Sequence, residues 1–276
     1  MTDLVSIIIP TKNNVDVLEN CLRSIKNQTY KSIEVVIVDG KSTDKTIDIA
    51  KKYNCRIFFF VPKVKRGTFD ASFKRNYGAK KGKGNYIYWM DADMELSKNL
   101  IKEAVDVCKK GVDAVILPED SFGKGIWAQA KNLERRCYWG DNTVESPRFF
   151  KRHVWEDIGG LDESLGAGGD DLDIHQKVIE KGYKVARTKS IVMHNEGDLK
   201  LSKLIKKHYM YGRDTIKYFY KRPKASIVSY FPIRPAYVRN FKLFLSRPLD
   251  ACAFIIMRTL ENVAGVAGII YSFVNK

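Results

Sequence analysis

No two cysteines in this 276-residue chain are spaced as CxxC, and the five present (Cys21, Cys55, Cys108, Cys137, Cys252) are odd in number and scattered. That excludes a disulfide framework or a zinc site as the organising device and fits a reducing cytosol. There is no low-complexity tract, no evident internal repeat and no charged head with an apolar run at the N-terminus, so no secretory leader is expected. A phosphate-cradling GxxxxGK[ST] loop is missing. So are RNP, zinc-finger and helix-turn-helix patterns, which leaves nucleic acid without a recognition module. Acidic residues are outnumbered, 32 against 48 Lys and Arg, for a net charge of +16. Such a field draws polyanions: nucleic acid, anionic lipid headgroups or a nucleotide diphosphate. What remains is an ordinary globular composition, 45% hydrophobic, able to bury one large domain or one domain with an appendage.

The first half alternates strand and helix patterns. Strand-like runs cover Val5 to Pro10, Val35 to Val38, Arg56 to Val61, Tyr86 to Met90 and Asp113 to Leu117; helical spacing covers Val15 to Asn27, Thr43 to Tyr53, Ser72 to Lys80 and Asn99 to Lys109. Alternation of this kind predicts an α/β fold, a mostly parallel sheet with helices on both faces. Ligands of such sheets bind at the carboxyl ends of the strands, where Thr11, Asp39 and Asp91 fall. Glu119 to Gly169 reads as irregular, Asp170 to Lys181 as helix and Val185 to Met193 as extended. A long helix is expected from Leu199 to about Tyr220. After breaks at Pro223, Pro232 and Pro235 come helical patterns near Tyr237 to Leu245 and Leu249 to Phe273.

Gly84 to Glu95, GNYIYWMDADME, says most about chemistry. Five apolar or aromatic residues in a row suit a strand covered on both faces, and it ends in Asp91 and Asp93. Residues i and i+2 of an extended chain point the same way, so both carboxylates can face one spot. Two hard oxygen ligands suit Mg²⁺ or Mn²⁺, which usually also hold substrate phosphates. The plainer alternative is a polar turn, with Asp93 capping a helix near Ser97. In VDGKSTDKT, Asp39 stands at a strand tip, where it either completes a strand-to-helix turn or accepts from a base or ribose. Arg66, Lys74 and Arg75 could meet phosphate, although a solvated basic face is the commoner outcome. Asn76 and Gly78 in the same stretch run against helix propensity. In GDDLD, Asp170, Asp171 and Asp173 crowd negative charge at a helix start, where helix capping needs only one of them. One carboxylate beside a pocket is what a general base requires. His194 is an acceptable Mn²⁺ partner or an ordinary satisfied histidine.

Four segments in this order, SIIIPTKNN at Ser6, EVVIVDGKSTDKT at Glu34, KRNYGAKKGKGNYIYWMDAD at Lys74 and FFKRHVWEDIGGLDESLGAGGDDLD at Phe149, resemble glycosyltransferase family 2. The resemblance covers Val5 to Asn195. It implies a GT-A, Rossmann-like fold and a metal-dependent inverting transferase that takes a nucleotide-diphosphate sugar. A UDP-sugar is favoured and GDP-mannose is the rival. It also implies donor contacts from Pro10, Thr11, Asn13, Asp39, Arg75, Asp91, Ala92 and Asp93, with Asp91 near ribose. Asp93 and His194 would hold Mn²⁺ or Mg²⁺, and Asp171 would be the base, with Asp170 as the competing choice. The usual DDGSTD turn is DGKSTD here, which puts Lys41 near the nucleotide.

A transferase domain over 1–199 and a helical extension over 200–276 are expected. The extension carries Lys and Arg interleaved with Tyr and Phe, as in helices that lie on anionic membranes; core packing with a solvated lysine face explains the pattern equally. Its last helix is apolar but interrupted by Arg258, Glu261 and Asn262, so skimming a membrane or forming a homodimer suits it better than spanning. The expected acceptor is lipid-linked or a glycan, and the expected location is cytoplasmic, peripheral at the inner face of the cell membrane. The alternative is a basic nucleic-acid-binding or membrane-surface interaction protein on a transferase-like fold.

Overall fold

The structure, a computed structural model, describes residues 3–63, 69–166, 169–231 and 234–274. Arg66 therefore lies outside the described residues. In chain order the elements begin with β1 (Val5–Thr11), α1 (Val15–Lys26), β2 (Ile33–Asp39), α2 (Thr46–Lys52) and β3 (Arg56–Phe59). There follow α3 (Ala71–Lys81), β4 (Tyr86–Trp89), β5 (Met94–Leu96), α4 (Leu100–Lys109) and β6 (Ala114–Ile116). Next are β7 (Glu119–Lys124), α5 (Gly125–Tyr138), β8 (Phe149–Lys151), α6 (Arg152–Asp157), α7 (Asp170–Glu180), β9 (Val185–Arg187) and β10 (Val192–Asp198). The chain ends in α8 (Leu201–Lys221), α9 (Pro223–Tyr230), α10 (Pro235–Arg239), α11 (Phe241–Ser246) and α12 (Pro248–Val274).

Compactness divides the chain into two units. One holds 1–118, 146–163 and 174–194; the other holds 119–145, 164–173 and 195–276. In the second unit α5 packs with the C-terminal helices, through Ala130 and Leu133 against Leu204, Phe254 and Met257.

In the first unit a seven-stranded sheet runs β3-β2-β1-β4-β8-β6-β9. All neighbours are parallel except β8, which pairs antiparallel with both β4 and β6. The unbroken apolar runs follow from two-sided burial. Tyr86, Tyr88 and Met90 enter a core with α1 and α4, whereas Ile87 and Trp89 enter the opposite one with Val154 and Ile174.

The helix α3 explains two residues that propensity does not. Asn76 is matched to the backbone of Leu161: its amide nitrogen donates to Leu161 O at 2.9 Å and its Oδ1 accepts from Leu161 N at 3.0 Å. At Gly78 a Cβ would stand 2.3 Å from Ile8 Cγ2 and 2.9 Å from Val38 Cγ2. The missing side chain lets α3 sit directly on β1 and β2. Gly78→Val should therefore cost about 3 kcal/mol through overpacking, read as a lowered denaturant midpoint at constant slope. An unchanged midpoint would show that the helix can shift without loss.

The span 119–169, expected to be irregular, instead contains β7, α5, β8 and α6. The buried face of α5 includes Asn132 and Glu134 as well as Ala128, Ala130 and Leu133. Polar residues on the inward face disguise the helical period. Asn132 donates to Asp120 and to Ser121 O, and Glu134 accepts from Lys131 and Tyr138.

Candidate active site

The strands β1 and β2 end side by side, with Thr11 in register with Asp39. Asp39 is fully buried. Its Oδ1 accepts from Thr11 Oγ1 at 2.9 Å and Ser42 Oγ at 2.6 Å, and its Oδ2 accepts from Ser42 N at 2.7 Å. Asn13, in the left-handed region at φ +55°, ties this turn to its neighbour. Its N–H donates to Ser42 Oγ, and its Oδ1 accepts from Thr43 N, both at 2.8 Å. Pro10 pairs in register with Val38 just inside this edge. Lys41, at φ +61°, turns the chain outward and is exposed.

Lys74 and Arg75 do not form the solvated face that basic residues on a helix usually make; both are buried. Lys74 Nζ lies 2.8 Å from Asp70, and a Cβ on Gly40 would meet that ammonium at 2.7 Å. Its charge is thus aimed at the turn that follows Asp39. Arg75 NH2 lies 2.6 Å from Asp91 Oδ1. Its guanidinium also stands 4.2 Å from the centroid of the Trp89 ring, and the weakly hydrated, planar Arg head suits such stacking.

Arg148 is the residue that sequence reasoning missed. It stacks on Trp89 at 4.6 Å and approaches Asp91 Oδ2 at 4.0 Å. Its position comes from β8, because Trp89 N donates to Arg148 O. Only its place just before FFKRHVWED could have drawn attention to it. Burial would raise the Asp91 pKa, but Arg75 and then Arg148 outweigh it and hold the value at about 2. Asp91 is thus a fixed, ionised acceptor.

Beyond buried Ala92, Asp93 does not cap a helix. The chain runs on into β5, which pairs antiparallel with β10 and brings Met94 opposite His194. His194 Nε2 consequently lies 3.3 Å from Asp93 Oδ2. The other carboxylate oxygen, Oδ1, is buried and has no hydrogen-bond partner among the described residues. A hard divalent cation is what such an orphaned oxygen beside an imidazole can serve. Among the described residues no group of three His, Cys, Asp or Glu side chains is placed to hold a metal. Two protein donors still fit Mg²⁺ or Mn²⁺, which characteristically complete their shell with water and substrate phosphate.

The second unit contains the acidic helix start. Asp173 is fully buried and accepts from Lys221 Nζ at 2.8 Å and Arg222 Nε at 2.9 Å. These two cations meet the need for compensation that three crowded carboxylates create. Asp170 is also buried, whereas Asp171 is only half-buried.

The family model described as "Glycosyl transferase family 2" matches residues 6–164. The chain belongs to glycosyltransferase family 2. It is 28% identical over 166 residues to the poly(ribitol-phosphate) beta-N-acetylglucosaminyltransferase TarP of Staphylococcus aureus, covering 54% of this chain and 49% of that protein. To the glycosyltransferase AglE of Haloferax volcanii it is 23% identical over 229 residues, covering 77% and 73%. The chain thus spans about half the length of TarP, and less of several other curated relatives. Among solved structures, the mannosyltransferase PcManGT of Pyrobaculum calidifontis, in complex with GDP-Man and Mn²⁺, superposes with a TM-score of 0.67 at 17% identity, covering 100% of this chain and 88% of that one. Residues 1–349 of TarS from S. aureus in complex with UDP-GlcNAc give 0.56 at 16%, covering 98% and 89%. At such identities the likeness speaks for the fold alone, and that fold is GT-A, as the sequence resemblance implied.

Proposed function

We propose that this glycosyltransferase moves a sugar, with inversion, from a nucleotide diphosphate to a hydroxyl of a lipid-linked or glycan acceptor at the cytoplasmic face of the cell membrane. The observation that carries the proposal is the pair of carboxylates after β4. One is neutralised by Arg75, and the other keeps a buried oxygen, without a hydrogen-bond partner among the described residues, beside His194. A UDP-sugar is the favoured donor and GDP-mannose its rival; both kinds of nucleotide sugar are bound by structural neighbours, PcManGT holding GDP-Man and TarS holding UDP-GlcNAc. The catalytic domain is assigned to 1–199.

The parts divide as follows. Pro10, Thr11, Asn13 and Asp39 receive the base, on a loop pair that their hydrogen bonds already hold in shape. Asp91 accepts from ribose and Arg75 keeps it aimed. Ala92 lets the backbone pass between the two carboxylates. Asp93 and His194 would hold the divalent cation, which when bound offsets the charge of the departing diphosphate. Asp171 takes the proton of the acceptor hydroxyl as that oxygen bonds to the anomeric carbon. The bond from that carbon to the diphosphate breaks, and the nucleotide leaves with the electron pair. Of the three acids, Asp173 is already committed to Lys221 and Arg222, and Asp171 is favoured over Asp170 by its register with the family's acidic pair.

A thermal-shift series with UDP, GDP and their common sugar conjugates, each with and without Mn²⁺, tests the donor site. Ligand at 100 times its Kd stabilises the native state by about 2.7 kcal/mol, so a Mn²⁺-dependent rise in Tm is expected for one nucleotide class. No rise with any of them, from protein that melts cooperatively, would remove the donor assignment.

A further inference from the structure

The geometry points to α12 as a membrane-surface anchor: we propose that it lies in the plane of an anionic phospholipid leaflet, with its outer face among the acyl chains. This deepens the membrane-surface part of the proposed function, and its test does not pass through sugar transfer.

The helix is 27 residues long, about 40 Å at 1.5 Å per residue. Its interrupting charges all point into the second unit. Glu261 is fully buried and lies 3.0 Å from Arg258, 3.6 Å from Lys131 and 3.6 Å from His208, while Arg258 lies 3.6 Å from Glu134. Glycines seal the packing against α8: a Cβ on Gly268 would stand 2.1 Å from Tyr209 O. Turned through half a circle, the same helix is apolar. Ile255, Val263, Val266 and Ile270 are each more than half exposed, and Leu249, in the first turn of the same helix, is 78% exposed. Only 33% of the most apolar window of α12 is buried inside the protein, far too little for a core helix. A contiguous face of this kind marks an interaction site.

Charge decides what covers it. From residue 195 to 276 the chain has fifteen Lys and Arg against five Asp and Glu. Arg213 borders the apolar stripe, with its guanidinium 4.9 Å from the centroid of half-exposed Tyr271. Lys206 and Lys217 are exposed at helical spacing from it along α8. A second copy of the chain would bring like charge against like, whereas anionic headgroups meet both the basic border and the apolar stripe. Spanning is disfavoured because the inner face of α12 would then have to expose Arg258 and Glu261 to hydrocarbon.

The test is flotation of the full chain with vesicles of phosphatidylcholine containing about one-third phosphatidylglycerol, and with vesicles of phosphatidylcholine alone. The full chain should float with the anionic vesicles, less with the neutral ones, and less as salt screens the basic border. Val263→Asp/Ile270→Asp should lower vesicle partitioning about tenfold or more, and Lys206→Glu/Arg213→Glu/Lys217→Glu should abolish the preference for anionic lipid. Both sets change exposed positions, so melting curves like the parent's are expected. Should a variant fail to fold, the lipid and salt series on the parent decides alone. Absence of flotation, flotation that ignores both lipid charge and the two variants, or a dimer by light scattering that Val263→Asp/Ile270→Asp converts to monomer without any vesicle binding would overturn the proposal. The last result would assign the face to a second copy. Nucleotide-dependent Tm shifts recorded on the same variants keep the two proposals apart, since either can fail while the other stands.

Discussion

Replacing Asp171 with asparagine is expected to reduce sugar transfer by about 10²–10⁴-fold, the range that a general base contributes, while the Kd for the nucleotide-sugar donor stays within about twofold of the parent. Asn has nearly the shape of Asp and can keep hydrogen bonds at the start of α7, but an amide does not take up the proton that the acceptor hydroxyl must lose. The effect should therefore lie in turnover and not in donor affinity. Single-turnover rates alongside donor titrations would separate the two. Transfer by Asp171→Asn at near-parental rate would shift the base to Asp170. Asp173 is a poor successor, because its carboxylate is fully buried and held by Lys221 and Arg222.

The opposite pattern is expected for Asp93→Ala. Here the Mn²⁺-dependent rise in Tm with nucleotide should disappear. Metal affinity should fall by more than the roughly 10–100-fold typical of losing an outer-shell partner, because the oxygen removed is itself one of two protein donors. Stability without ligand should hardly change or should improve: Asp93 Oδ1 is buried and unpartnered among the described residues, and removing such an atom removes a desolvation cost. Metal titration followed by Tm, with and without nucleotide, reads both effects. A variant that keeps its full Mn²⁺ response would move the metal away from Asp93 and His194.

Most of the parallel sheet was legible because its strands are buried on both faces. Tyr86 to Trp89 is apolar throughout for that reason, and the two aspartates after it stand out as residues that packing does not require. The turn after β2 was equally readable. Asp39, Gly40 and Ser42 have the chemistry of a strand-to-helix turn, and the structure adds that the Asp39 carboxylate is the hub of that turn's hydrogen bonds. Three things were not legible. Lys74 and Arg75 looked like a solvated face: Asp70 is a local i,i+4 partner of Lys74, but nothing local shows that both side chains are buried or that Asp91 waits for Arg75. The helix α5 escaped notice because its inward face carries Asn132, satisfied by Asp120 and Ser121, and Glu134, satisfied by Lys131 and Tyr138 of the same helix. Arg148 was missed because it reaches Asp91 only through an antiparallel strand inserted from some sixty residues downstream.

The sequence by itself determined the fold class, the family and the acidic residues set at strand and helix ends, because periodicity, turn chemistry and short motifs are local properties. Only the tertiary structure decided which charges are paired. It placed two arginines on Trp89 and Asp91, committed Asp173 to Lys221 and Arg222, and left Asp93 beside His194 with an oxygen that has no partner among the described residues. It also turned Arg258 and Glu261 inward and the apolar stripe of α12 outward. The physical reason is common to all of these. The cost of burying a charge depends on what long-range packing brings within a few ångströms of it, and that neighbour is rarely close in the chain.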